Sequence, residues 1–312
     1  ANIMTCWVGA EAVDHARHMF SGAGIPAYDT PRAAIQALMH LIEYRRNQTL
    51  LMEVPASASA DFVPDTARAR ALIDAALAEG GGTLNEPEAK AVLEANGIPA
   101  VETRVATTPA LKIHSPDIVH KSDVGGVVLN LPGPAEVEKA AREMLERVIQ
   151  ISPEARITGF TVQTMARRPG AQELIVGVAT DPVFGPVIMF GQGGIAVEVI
   201  ADRAMALPPL NTTLAHELIS RTRVSRLLEG YRGRPPADRD AIARSLVHLS
   251  QLVVDFPEIV ELDINPLFAD SKGVLALDAH ITVAPAKPGT EHLAIRPYPK
   301  ELEEMYALPD GR

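Results

Sequence analysis

The sequence predicts a mixed α/β chain in two parts: a short β-α-β-α segment, then, after a linker, a larger α+β domain. Three observations predict it. Residues 3–47 alternate short apolar strands with helix-periodic stretches. Residues 172–199, QELIVGVATDPVFGPVIMFGQGGIAVEV, read as two apolar strands, 174–179 and 186–190, joined by a turn holding Asp181, Pro182 and Gly185. The second strand empties into Gly191-Gln192-Gly193-Gly194 before a third strand-like run, 195–200. Finally, 47% hydrophobic residues with only 4% aromatic ones is the Ala/Val/Leu/Ile-rich balance that suits stacked strands and helices.

Length and composition set outer bounds. A chain of 312 residues is long enough for two domains or three small ones. A charged fraction of 22% argues against global disorder, and a net charge of −10 against a nucleic-acid-binding surface. The lone Cys6 excludes an internal disulfide and fits a reducing cytoplasm. No apolar run approaches the roughly 20 residues needed to span a bilayer, and residues 1–8 carry no signal-peptide pattern. The expectation is a cytoplasmic protein without membrane or nucleic-acid partners.

The elements follow in order. Residues 3–8 are a short strand, 10–24 a helix through Val13, Ala16, Met19 and Phe20, and 25–28 a second strand. Pro31 opens a second helix, running to Asn47 along Ile35, Leu38, Leu41 and Ile42. Strands joined by helices pair in parallel, yet two strands make no stable sheet alone. The expectation is a partial domain whose other strands lie upstream or on a partner. Residues 56–66 read as a linker and 67–79 as a helix stopped by Gly80-Gly81-Gly82. Asn85 then caps a helix, with Glu88 three positions on, Pro87 in the first turn and Gly97 as the stop.

Residues 101–106 and 111–113 read as strands joined by only four residues, too few for a parallel crossover. Either they are antiparallel neighbours, or a helix that belongs between them is absent; the lack of hairpin-turn chemistry favours the second. Helices are expected at 135–151, 214–228 and 238–256, and strands at 157–163, 259–264 and 274–277. After Pro285 the chain turns polar, with a short acidic helix at 301–305.

Several residues could carry chemistry. Glu173 and Glu198 frame apolar strands, so each should face a metal, a cation or solvent. In 114–127, HSPDIVHKSDVGGV, Gly125-Gly126 behind Lys121 could admit a phosphate to backbone N–H groups, or be an ordinary turn. The run lacks the G-x-x-x-x-G-K-[ST] pattern. Lys112, inside the apolar run Leu111-Lys112-Ile113, points to solvent or to an anion. His120 is either a hydrogen-bonded surface histidine or an imidazole able to carry a phosphoryl group. Glu261, Asp263 and Asn265 share one face of a strand by period two, and Asp278 ends the next strand. Oxygen ligands of this kind suit Mg²⁺, unless the face is merely a wet edge.

Four segments in order, LKIHSPDIVHKSDVGGV, ELIVGVATDPVFGPVIMFGQGGIAVEV, ELDINPL and LALDA, resemble an ATP-grasp domain of the NDP-forming acyl-CoA synthetase type, related to the β-subunit of succinyl-CoA synthetase. The first 55 residues resemble the end of the flavodoxin-like CoA-ligase domain, and LAIRPYPKEL the link to an acetyltransferase domain of bacterial multidomain protein lysine acetyltransferases. The resemblance implies four segments: 1–55, part of a flavodoxin-like domain; 56–84, linker and helix; 85–286, the ATP-grasp domain; 287–312, a tail. It implies that Lys112 contacts ATP phosphates, with Lys121, Gly125 and Gly126 in the adjacent loop, and that Gln163, Thr164 and Met165 form the hinge against adenine. Glu173 and Glu198 would lie in the nucleotide site, and Asn265 and Asp278, with Asp263 adjacent, would hold Mg²⁺. His120 matches the histidine that passes a phosphoryl group to ADP. The family's CoA-binding domain and first phosphohistidine site lie upstream and are not in this sequence.

The expected function is the ATP/ADP-binding portion of an ADP-forming acyl-CoA (acetyl-CoA) synthetase, incomplete for turnover alone and working with an upstream CoA-binding domain or subunit, with oligomers possible. The alternative is a nucleotide- or CoA-sensing regulatory module of a protein lysine acetyltransferase.

Overall fold

A computed structural model describes residues 3–9, 11–52, 62–101, 103–106 (backbone only), 112–115, 117–118, 121, 124–129, 131, 133–163, 168–194, 201–231, 233–286 and 293–295. The expected strand at 195–200 and helix at 301–305 lie outside these residues, as do His120, Thr164, Met165 and Glu198. The chain divides into two compact units, Ala1–Val54 and Pro55–Arg312.

In the first unit β1 (Thr5–Cys6) pairs in parallel with β2 (Ala27–Tyr28), in register Thr5↔Ala27 and Cys6↔Tyr28. Helix α1 (Asp14–Gly22) makes the crossover that parallel pairing requires. Helix α2 (Pro31–Leu51) starts where Thr30 Oγ1 accepts from the Ala33 N–H at 3.1 Å. No described residue of this unit is buried. Ile35, Leu38, Leu41 and Ile42 are 41–60% exposed, a stripe that two short strands do not cover.

The second unit is built on a seven-stranded sheet and a three-stranded one. In the larger, β3 (Gly82–Thr83), β12 (Ala279–Val283), β10 (Ile259–Asp270), β7 (Gln172–Asp181), β8 (Gly185–Gln192) and β9 (Arg203–Ala206) are neighbours in that order, and β11 (Gly273–Ala276) pairs with β10. All its pairings are antiparallel. In the smaller, β4 (Thr103–Ala106) and β5 (Lys112–His114) flank β6 (Gly159–Gln163), each antiparallel to it. Period two divides the large sheet: Val176, Val178, Ile188, Leu262 and Ile264 are buried, whereas Glu261, Asp263, Met189 and His280 face outward.

The buried face packs with α3 (Thr66–Ala78), α4 (Glu86–Ala95), α6 (Thr212–Ser220), α7 (Ser225–Leu228) and α8 (Arg239–Asp255) into one core. A second, separate core joins the small sheet to α5 (Pro134–Ile151) through Ile113, Phe160, Ala141, Met144 and Val148. The helix at Asn85 forms as expected: Asn85 Oδ1 accepts from the Glu88 N–H, and Glu88 Oε2 from the Asn85 N–H, both at 3.0 Å.

The structure excludes the first alternative for β4 and β5: they are not antiparallel neighbours, because β6 lies between them, and the residues that join them, 107–111, lie outside those described. Three expectations are corrected. Residues 214–228 are two helices, separated by a turn in which the Asp202 carboxylate accepts from the Arg223 and Val224 N–H groups at 2.7 Å each. β10 runs on through Asn265 and Pro266 to Asp270 rather than ending at Ile264. Pro266 is tolerated because the pairing with β7 shifts register between Ile264 and Leu267, where a missing N–H breaks no regular ladder. β9 and β12 were not read as strands.

Candidate functional site

The site is built where the small sheet meets the start of α4 and the turn into β12. Glu86 begins α4 with a side chain only 2% exposed, and Lys90, one turn on, is 3% exposed. Lys90 Nζ donates to Glu86 Oε1 at 2.9 Å. Lys112, on β5, donates to the same oxygen at 3.1 Å, and Lys121 donates to Oε2 at 3.3 Å. The Gln163 amide, at the end of β6, also donates to Oε1. Burial pushes the Glu86 carboxyl up, but Lys112, Lys90 and Lys121 together outweigh it and hold the group at about 2. Burial pulls Lys90 below the usual lysine range, against the pull of Glu86.

Lys112 has a second partner: its Nζ lies 3.5 Å from Asp278 Oδ2, at the turn into β12. Lys112 comes from the small sheet and Asp278 from the large one, so this ion pair spans both. Beyond Asp278 lies Asp263, whose carboxyl is raised to about 6 by burial first and then by Asp278 and Glu261. Asp263, Glu261 and His280 line, with Gly177 and Met189, a cleft of about 720 Å³ on the outward face of the sheet.

Asn265 Oδ1 accepts from the Gly194 N–H at 3.5 Å. Glu173 is exposed on β7; its carbonyl accepts from the Gly193 N–H at 2.8 Å, and its side chain fills the space where a Cβ on Gly194 would stand. Gly194 also has φ +85°, so this turn needs glycine twice over.

The Gly125-Gly126 loop lies along β5. The Gly126 N–H donates to Lys121 O at 2.7 Å, and its carbonyl accepts from the Ile113 N–H at 2.9 Å. A Cβ on Gly126 would stand 2.7 Å from Ile113 Cγ2. Gly126 is thus required for close packing, and its N–H is already engaged. Arg147 Nη1 donates to Gly125 O at 3.3 Å.

The structure therefore brings Lys112, Lys121, Gln163 and Asp278 together, with Asp263 beside Asp278, and groups Asn265 with Glu173 and Gly194. Sequence reasoning missed Glu86 and Lys90. Their i,i+4 spacing in a capped helix was the available signal, but such pairs usually lie on a solvated face. Oxygens from Asn265, Asp278 and Asp263 suit a hard divalent cation, and a cation would relieve the crowding of Asp263 by Asp278 and Glu261. Among the described residues no three His, Cys, Asp or Glu side chains cluster closely enough to hold a metal alone. A cation here would take its remaining ligands from a phosphate and water, as Mg²⁺ commonly does.

Residues 75–283 match the ATP-grasp domain family model. The chain is 38% identical over 291 residues to an ADP-forming acetate–CoA ligase of Archaeoglobus fulgidus, covering 89% of this chain and 42% of that protein. It is 37% identical to the β subunit of ADP-forming acetate–CoA ligase I of Pyrococcus furiosus, covering 69% of this chain and 97% of that subunit. An acetyl-coenzyme A synthetase of Ca. Korarchaeum cryptofilum, solved with coenzyme A and Ca-AMPCP, superposes with TM-score 0.66 at 40% identity, covering 69% of this chain and all of that one. A further structure of that enzyme, with coenzyme A and Mg-AMPPCP, has its phosphohistidine segment pointing towards the nucleotide-binding site; its TM-score is 0.61 at 37% identity, over 69% of this chain and 100% of that one. This chain thus spans less than half the length of the Archaeoglobus relative and nearly the whole of the Pyrococcus β subunit. It belongs to the ATP-grasp family, within the group that includes the β subunits of ADP-forming acetate–CoA ligases.

Proposed function

We propose that this chain is the nucleotide-handling part of an ADP-forming acyl-CoA synthetase, with acetyl-CoA the favoured acyl donor. The net reaction is acyl-CoA + ADP + phosphate giving carboxylate + CoA + ATP. Lys112 and Lys121 neutralise and orient the polyphosphate beside the Gly125-Gly126 loop. Asn265 and Asp278, with Asp263 adjacent, hold Mg²⁺, which when bound spreads the charge developing on the phosphate oxygens. Gln163, Thr164 and Met165 frame the base, and Glu173 and Glu198 border the nucleotide. The His120 imidazole carries the phosphoryl group and surrenders it to ADP. The CoA step belongs to an upstream CoA-binding domain or partner subunit, a reading supported by the relative that is itself a separate β subunit. The tail's likeness to an acetyltransferase link carries no part of this reading.

The observation that carries the proposal is the 3.5 Å contact between Lys112 and Asp278, which sets a cation on the small sheet beside a carboxylate at the edge of the large one, within the span of one polyphosphate. Incubation with radiolabelled Mg-ATP tests it. The wild-type chain should become labelled through an acid-labile, alkali-stable phosphohistidine, and His120→Ala should take up no label. Equal labelling of both, or none of the wild type, would reject the assignment.

A further inference from the structure

Glu86 is the most deeply buried acid in the site, yet the proposed chemistry gives it no task. Its carboxylate is where the two cores of the second unit meet. Glu86 is carried by α4, whose Ala89, Val92 and Leu93 belong to the large core. Lys112 and Gln163 are carried by β5 and β6, whose Ile113 and Phe160 belong to the small one. Every polar contact across this seam that involves Glu86 converges on its two oxygens: Lys112 and Gln163 on Oε1, Lys121 on Oε2. Lys90, from the same helix, braces Oε1 from behind.

Ammonium groups repel one another and do not gather in a buried site without a counter-charge. A carboxylate that is 2% exposed supplies that charge at a fixed point, and its helix is held by the Asn85–Glu88 capping box. An ammonium has three donors, so one hydrogen bond to Glu86 leaves others for a ligand. Lys112 and Lys121 remain 13% and 15% exposed, so both can still be reached.

We propose that Glu86 is a positioning residue of the nucleotide site: its buried carboxylate holds Lys112, Lys121 and Gln163 in one place, so that both lysine head groups converge on the polyphosphate before it binds. The inference rests on the nucleotide-handling reading above. It differs from a general structural role in one respect. Glu86 acts through groups that meet phosphates, so its loss should scale with the number of phosphates on the ligand.

Calorimetric titration of the 312-residue chain with Mg-ADP and with AMP tests this. Glu86→Gln should weaken Mg-ADP by about ten-fold or more, the cost of misplacing two charge-assisted hydrogen bonds, and should change AMP far less. In a Lys112→Met background the further effect of Glu86→Gln should shrink, because the two act through one contact. Should Glu86→Gln fail to fold, Glu86→Asp takes its place; it keeps the charge but falls one methylene short, and the same direction is expected. Unchanged or tighter Mg-ADP binding would overturn the proposal, since it would make Glu86 a bystander or a competitor of the phosphates. An equal loss for AMP and Mg-ADP would also overturn it, leaving a purely structural role. If the wild-type chain binds no adenine nucleotide, the nucleotide reading itself fails and this inference falls with it; wild-type binding that Glu86→Gln leaves intact removes only the inference.

Discussion

Asp263 is a carboxylate held against its own charge, and the consequence can be measured. Its carboxyl lies at about 6 rather than 3.8, from burial and from Asp278 and Glu261. A folded-state value above the unfolded one means that the protonated group stabilises the fold. That contribution is complete below about 3.8 and is lost as pH rises through about 6. Above pH 6 the metal-free chain therefore carries an uncompensated penalty. Asp263→Asn should remove it, raising stability at pH 7.5 by about 3 kcal/mol in the absence of divalent cations, with little effect at pH 4. Denaturant unfolding at the two pH values checks this; an equal effect at both would show that charge is not the cause. Glu86 has the opposite sign. Its carboxyl is held at about 2, so its contribution to stability is present above about 4.5 and fades as pH falls towards 2. Glu86→Gln should flatten the stability–pH curve across that window, as urea titrations from pH 5 to pH 2.5 would reveal.

At the scale of elements, the break between α6 and α7 rests on one side chain. Asp202 is buried and takes the Arg223 and Val224 N–H groups of the turn just before α7. Asp202→Ala would leave them without their acceptor and should cost roughly 2 kcal/mol, a fall of about 5 °C in Tm for a domain of this size. No change in Tm would mean that the turn is held by other groups. The same break explains what the sequence withheld. Residues 214–228 keep a helical apolar rhythm, and the interruption comes from an acid that precedes the helix by more than ten residues. Local patterns did betray the β7–β8 hairpin and the Asn85 cap, since turn chemistry and capping act within four residues. The strand expected at 259–264 fell short in the other direction: only pairing reveals the register shift that admits Pro266 and lets the strand run on. Glu86 and Lys90 stayed hidden because spacing records which helical residues are neighbours, not whether a second sheet will cover them. Lys112, by contrast, was conspicuous as a charge inside an apolar strand.

At the scale of the whole molecule, two separate cores meet across a seam of charge, and the seam is where the conspicuous sequence motifs converge. The segments around Lys112 and around Asp278 are more than 160 residues apart in the chain, yet they touch at 3.5 Å. Glu86, Gln163, Asp278 and Asp263 with three lysines near one seam make little sense as a stabilising device, since buried ion pairs are weak contributors to stability. They make sense as a site for an anion carrying its own cation. The most direct measurement is the affinity of Mg-ADP for the wild-type chain and for Lys112→Met, with the metal-free titration beside it. Metal-dependent binding to the wild type, weakened by about thirty-fold in Lys112→Met, is the expected result for a lysine that meets phosphates. Equal affinity in the two chains, or binding indifferent to Mg²⁺, would contradict it.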